Sequence, residues 1–242
     1  MRSIVFILSI FFCFQSSLFA SGAFKSVETK IIEADKKGAL VENNPYVPVG
    51  SSGIVIRKFD DEHQTVIAKA IVESKSKEGI RIKFAMFDLL KQDALPAPNI
   101  MPEKGDTVIL NYLYDRAFVI VPNEETFLEI TSKYPEIDWI HPDILAAFLS
   151  KEYNPEPDRE DFQNACKKNL SMLLFFVVKN SGYFVDCNSF KVLKNESVDK
   201  KEGKTILPFY SRIGDIESNI FNIAKSKIDN YDNYYIKLLE IK

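Results

Sequence analysis

Histidine is nearly absent from this chain: His63 and His141 are the only two in 242 residues. Cysteine is almost as scarce, with Cys13, Cys166 and Cys187. None of these residues stands at C-x-x-C or H-x-x-H spacing, so the sequence offers no grounds for a metal site. No G-x-S-x-G elbow occurs, and a hydrolase nucleophile therefore lacks its usual motif. Net charge is -3, with acids and bases mixed along the chain. Nucleic acid is accordingly not an expected partner. No cofactor and no small-molecule substrate are indicated. After Phe14 no apolar run approaches the ~20 residues that a membrane-spanning helix needs.

What is present is a globular balance, 46% hydrophobic and 27% charged residues. A chain this apolar can bury a core and is not expected to be disordered. The N-terminus carries one positive charge, Arg2, then an apolar run from Ile4 to Phe14, then small and polar residues up to Ala23. That layout predicts a secretory signal peptide over residues 1–20. An uncleaved anchor is the other reading of the same run. Export changes how the cysteines read, because Cys13 leaves with the signal. Cys166 and Cys187 then form an even pair in an oxidising compartment, a disulfide candidate. Two buried thiols that never meet are the alternative.

Residues 21–121 read as a β-rich domain. Gly53 to Phe59, Thr65 to Glu73 and Ile80 to Phe87 are strand candidates. In the last, Ile80, Ile82, Phe84 and Met86 share one face while Arg81 and Lys83 take the other. That period of two marks a half-buried strand. Phe24 to Ala34 contains further alternating stretches. Asp106 to Leu113 and Arg116 to Val121, joined by a turn at Tyr114 and Asp115, complete a predicted antiparallel barrel or sandwich. DDEHQ and SKSKEG serve as hairpin loops, and the proline-bearing segment from Lys91 to Asp106 is a binding loop or a crossover.

Residues 122–242 read as a mixed α+β domain. Asn123 is placed as a helix N-cap, with acids in the first turn and Phe127, Leu128 and Ile130 on an apolar side. The next stretch, EIDWIHPDILAAFLS, holds the lone tryptophan, Trp139, together with His141 and Asp143. Two readings compete there. His141 could be a general base oriented by Asp143. Alternatively, Pro142 opens a helix, His141 caps it, and Ile144, Leu145, Phe148 and Leu149 form its buried face. Two residues apart at a helix start, the histidine and the acid do not naturally face each other, and the capping reading accounts for more of the stretch. His63 falls in a predicted hairpin loop.

Asp158 to Asn169 predicts an amphipathic helix, and Leu170 to Val178 a strand buried on both faces. KNSG then turns into YFVDC. KVLKNESVDKKEGK reads as a solvated loop. Asp215 to Ile228 predicts another helix, followed by a final strand or helix. There Tyr231, Tyr234 and Tyr235 either form an exposed aromatic surface or pack at a domain edge. The sequons at Asn169 and Asn195 are too common by chance to carry weight.

Four phrases carry a resemblance: KGDTVILNYLYDRAFVIVPN, EIDWIHPDILAAFLS, FFVVKNSGYFVDCNSFKVL and LPFYSRIGDI. The chain resembles the N-terminal domain of the plasminogen-binding proteins of epsilonproteobacteria, the PgbA/PgbB family. The resemblance implies an exported, non-enzymatic envelope protein, periplasmic or on the outer surface, with host plasminogen as partner. Members with that role carry a lysine-rich extension after this domain, and this chain stops at Lys242, so an activity seated in the extension would not transfer. Plasminogen kringles recognise lysine-like zwitterions, and a terminal lysine offers an ammonium and a carboxylate together. Lys242 is thus the expected contact, although lysine-rich chains also end in lysine by chance. The competing expectation is a periplasmic scaffold subunit of an envelope machine such as the flagellar motor. A hydrolase would need His141 or Cys166 in a catalytic role.

Overall fold

A computed structural model of the chain describes residues 24–88, 100–217 and 227–242. The protein is α+β. A closed antiparallel barrel is followed by a mixed five-stranded sheet with helices on both faces. The expected signal peptide lies outside the described residues. So do most of the proline-bearing loop and most of the helix expected over Asp215 to Ile228.

The barrel comprises β1 (Val27–Ala34), β2 (Gly38–Val41), β3 (Ser52–Lys58), β4 (Gln64–Lys75), β5 (Ile80–Ala85) and β6 (Thr107–Leu110), in the order β1-β2-β5-β4-β3-β6. Alternation builds it: Ile80 and Ile82 are fully buried while Arg81 and Lys83 face water. Closing so few strands requires tight curvature, and register shifts at Ile31/Glu33, Val55/Ile56 and Val72/Ser74 supply it. At Gly53 the β6 backbone comes so close that any Cβ would meet the Ile109 carbonyl. Val41, Val55, Val72, Ile82, Val108 and Leu110 are among the side chains that fill the interior, so the barrel is a packed core.

The second sheet has the order β11-β10-β9-β7-β8. Its strands are β7 (Arg116–Ile120), β8 (Asp138–Ile140), β9 (Leu173–Val178), β10 (Ser181–Asp186) and β11 (Val192–Ser197). Its helices are α1 (Glu124–Lys133), α2 (Pro142–Lys151), α3 (Arg159–Lys168) and α4 (Tyr231–Leu238). β7 runs parallel to both β8 and β9, and helical crossovers make those connections possible. β9 is buried along its whole length, as its unbroken apolar sequence requires. Leu173, Phe175 and Val177 pack with α1, and Leu174, Phe176 and Val178 pack with α2, α3 and α4.

Four sequence expectations are corrected here. Arg116–Ile120 does not complete the barrel, because its hydrogen-bonding partners are β8 and β9. The charged run after Lys191 is not a loop at its start: Val192–Ser197 pairs with β10 as an edge strand, where Lys194 is exposed and Glu196 is half-buried between Lys133 and Lys194. The buried face of α2 consists of Pro142, Leu145, Ala146 and Leu149, while Ile144 is 47% exposed. On α1, Leu128 likewise points outward, 56% exposed. The late tyrosines resolve in favour of packing. Tyr231 and Tyr235 are buried on α4, and their hydroxyls donate to the carbonyls of Ile120 and Pro208 at 3.0 Å.

Candidate functional site

The His141–Asp143 pair is the first place to look for chemistry. Pro142 takes the first helical position of α2, and His141 is the N-cap in extended backbone, φ -61° and ψ 136°. Its Nδ1 accepts the Asp143 N–H at 3.2 Å, so geometry assigns the ring proton to Nε2. The Asp143 carboxylate comes within 3.2 Å of the same Nδ1, nearer than the sequence spacing predicts, but its hydrogen bonds are to Arg212. Oδ1 accepts the Arg212 N–H at 2.8 Å and Oδ2 accepts Arg212 Nε–H at 2.7 Å. The ring is packed against Phe127 and Tyr210, with centroids at 4.8 and 6.3 Å. Burial pushes the His141 pKa below its ordinary value, and the nearby Asp143 charge opposes this without prevailing. Burial acts on Asp143 in the upward direction, but the Arg212 amide and guanidinium outweigh it and hold that carboxyl low. The acid orients an arginine, and the histidine closes a helix end. The hydrogen bonds of the pair are to backbone amides and to the Arg212 guanidinium.

Cys166, the nucleophile by composition, is bonded to Cys187, with Cα atoms 6.2 Å apart. The bridge ties α3 to the residue after β10. His63 sits in the β3–β4 hairpin loop with Nδ1 2.8 Å from Asp60 Oδ1, exposed. Trp139 donates its indole N–H to the Tyr134 carbonyl at 3.0 Å and stacks edge-on with Phe175. Lys242 follows α4 and is exposed. Among the described residues, no group of three or more His, Cys, Asp or Glu is placed to hold a metal ion.

The densest polar constellation lies instead at the seam between barrel and sheet. Asp186, the last residue of β10, is fully buried. Its Oδ2 accepts the hydroxyls of Ser52, at the start of β3, and of Tyr114, the latter at 2.7 Å. Its Oδ1 accepts the Ser189 N–H at 2.6 Å. Tyr114 Oη in turn accepts the Ser52 N–H at 2.9 Å. Burial raises the Asp186 pKa, and the three donors act against that rise. Burial also drives the Tyr114 phenol well up, with the Asp186 charge adding to it.

From this buried joint the network runs outward. Asn188 Nδ2–H donates to Ser52 Oγ at 3.0 Å, and Lys69 Nζ donates to Asn188 Oδ1 at 3.2 Å. Lys69 of β4 and Lys167 of α3 then grip the two oxygens of Asp88, each at 2.7 Å. Burial pulls the Asp88 carboxyl up, but the two ammonium groups hold it below its ordinary value. The cleft behind these side chains has a volume of about 490 Å³, and the disulfide forms part of its wall. Its charges are already matched. The arrangement fixes two folded units against each other. Beyond an acid closing an apolar strand, no local pattern announces this constellation, because Ser52, Tyr114 and Asp186 are far apart in the chain.

The family model described as plasminogen-binding protein pgbA N-terminal matches residues 26–239. Two curated relatives are each named plasminogen-binding protein PgbA, from Helicobacter pylori strains J99 and 26695. Each is 29% identical over 197 residues, covering 79% of this chain and 42% of the relative. The chain thus spans less than half the length of the curated relatives it matches. No solved structure matches it.

Proposed function

The chain belongs to the plasminogen-binding protein PgbA N-terminal family, and from that premise we propose that it is an exported, non-enzymatic cell-envelope protein that binds host plasminogen. The observation that carries this reading is the family match over residues 26–239, together with relatives named for binding and not for catalysis. The seam supports it by another route, since its ionisable groups are paired with one another and the molecule presents a stable composite surface. Among the described residues no helix is long and apolar enough to cross a membrane.

Lysine chemistry supplies the contact. A kringle that recognises a lysine-like zwitterion would engage Lys242, which is exposed. The test is immobilised plasminogen with the purified protein in solution. Binding that free lysine abolishes, and that carboxypeptidase removal of Lys242 weakens at least tenfold, is the expected result. Binding indifferent to both treatments removes lysine recognition. No binding at all removes plasminogen as the partner.

A scaffold role in an envelope machine such as the flagellar motor is the second reading. The observation that favours it is coverage: the match takes in 42% of each relative, so the relatives' name need not describe the matched part. Protease accessibility in intact cells separates the two. Plasminogen capture requires a surface location, whereas a scaffold stays protected and co-purifies with its assembly.

A further inference from the structure

A second cavity opens on the seam, about 300 Å³ in volume. Phe87, Tyr112, Leu113 and Leu170 form its walls, and Asp115, Arg116 and Asp138 line its remaining side. Two of the wall residues stand in left-handed backbone, Leu113 at φ 55° and Leu170 at φ 50°. A leucine adopts that conformation only where its surroundings enforce it. Yet Leu170 is 41% exposed, so the enforced conformation directs an apolar side chain to the cavity and not to the core.

The charges here are unbalanced, unlike those at Asp88. The Asp138 N–H donates to the Asp115 carbonyl at 2.7 Å, which ties the two backbones together, and both acids line the cavity. One cation, Arg116, accompanies them. Its Nε lies 3.3 Å from Asp138 Oδ2, but makes no hydrogen bond and is buried. Asp115 is exposed and forms no ion pair among the described residues. The site therefore combines an apolar, partly aromatic trough with excess negative charge at one side.

We propose that this cavity receives a lysine side chain from a protein partner. The aliphatic stem of lysine would lie along Leu113, Leu170 and the rings of Phe87 and Tyr112, as such stems do on apolar surface. Its ammonium, a compact point charge with three donors, would reach Asp115 and Asp138. The aromatic rings add attraction for a cation. Fatty-acid headgroups and nucleic-acid phosphates carry the wrong sign for the two acids. A purely apolar segment would leave Asp115 without a partner. The inference rests on the protein-binding reading but not on plasminogen, because here the lysine belongs to the partner.

The test uses the full chain with leucine methyl groups labelled for NMR. The probe is Nα-acetyl-lysine methylamide. The control is the norleucine derivative, which has the stem without the ammonium. The lysine probe is expected to shift the Leu113 and Leu170 methyl signals saturably, with the norleucine derivative at least tenfold weaker. Combined Asp115→Asn and Asp138→Asn substitution abolishes that preference while the remaining methyl spectrum is unchanged. Leu170→Gly, which suits left-handed backbone, keeps the fold and weakens the lysine probe. Equal affinity for both probes overturns the proposal, as does the absence of saturable shifts. Retention of the preference by the asparagine variant overturns it too. Failure of plasminogen binding leaves all these outcomes untouched.

Discussion

A side chain that closes a helix end has an acceptor occupied, and the Nδ1 of His141 is in that position. Its Nδ1 accepts the Asp143 amide, one of the α2 donors that lack an intrahelical partner. His141→Ala is expected to lower stability by about 1 kcal/mol, the usual cost of deleting a cap, read as a lower urea midpoint. An unchanged midpoint would mean that the amide finds water instead. Asp143 carries the pH dependence. Its folded pKa is held below the ordinary 3.8, because Arg212 outweighs the effect of burial. A carboxyl lowered in this way adds stability that is complete above the unfolded value and lost as pH falls through the folded one. Arg212→Gln raises the folded value back toward the unfolded one. The wild-type protein should therefore exceed the variant in stability at neutral pH, with the gap closing as pH drops below about 4. Urea unfolding at a series of pH values measures this, and a gap that stays constant into acid would refute the assignment.

Between elements, the covalent tie from α3 to the end of β10 restrains the chain most. Cys166 and Cys187 are 21 positions apart. A loop of that length is worth about 3 kcal/mol in the chain-entropy account. Reduction should add the mass of two hydrogens and lower the urea midpoint accordingly. An intact protein that gains no mass on reduction would show that the bond is absent. The same elements show what was legible in the sequence. The caps of α1 and α2, the amphipathic run of α3, the alternation of β5 and the unbroken apolar run of β9 are local patterns, and each was readable from a few neighbouring residues. β2 has four residues, too few for a period to register. The affiliation of β7 was not readable, because a short apolar strand looks alike in either sheet and only its distant partner β9 decides. β11 was hidden by its composition, since an edge strand that carries lysine, asparagine and glutamate resembles a loop. For the candidate sites the division is the same. The cap at His141 was local and legible. Asp186, Ser52 and Tyr114 meet across separations of 62 to 134 residues, and no motif announces such a meeting.

At the scale of the molecule, the question is whether barrel and sheet form one cooperative unit. Each has its own apolar core. Cores built separately can melt separately, and what couples them is the interface. Here a fully buried carboxylate supplies much of that interface, accepting a hydroxyl from the barrel strand β3 and another from the β6–β7 connection. Such a joint is strong only while complete, because a buried donor left without an acceptor costs about 1–3 kcal/mol. Asp186→Ala strands the hydroxyls of Ser52 and Tyr114 together with the Ser189 amide. Calorimetry of the wild-type protein should show a single transition, and Asp186→Ala should split it in two as each core melts alone. A double-mutant cycle with Ser52→Ala isolates the contact itself, with a coupling of about 0.5–3 kcal/mol expected for directly bonded residues. The lysine pair on Asp88 is a weaker link, since Lys167 and Asp88 are partly exposed and water screens them. Asp88→Asn should therefore lower the transition slightly without dividing it. If Asp186→Ala melts in one step and the cycle shows no coupling, apolar contact across the seam joins the two units, and the polar joint only sets their register.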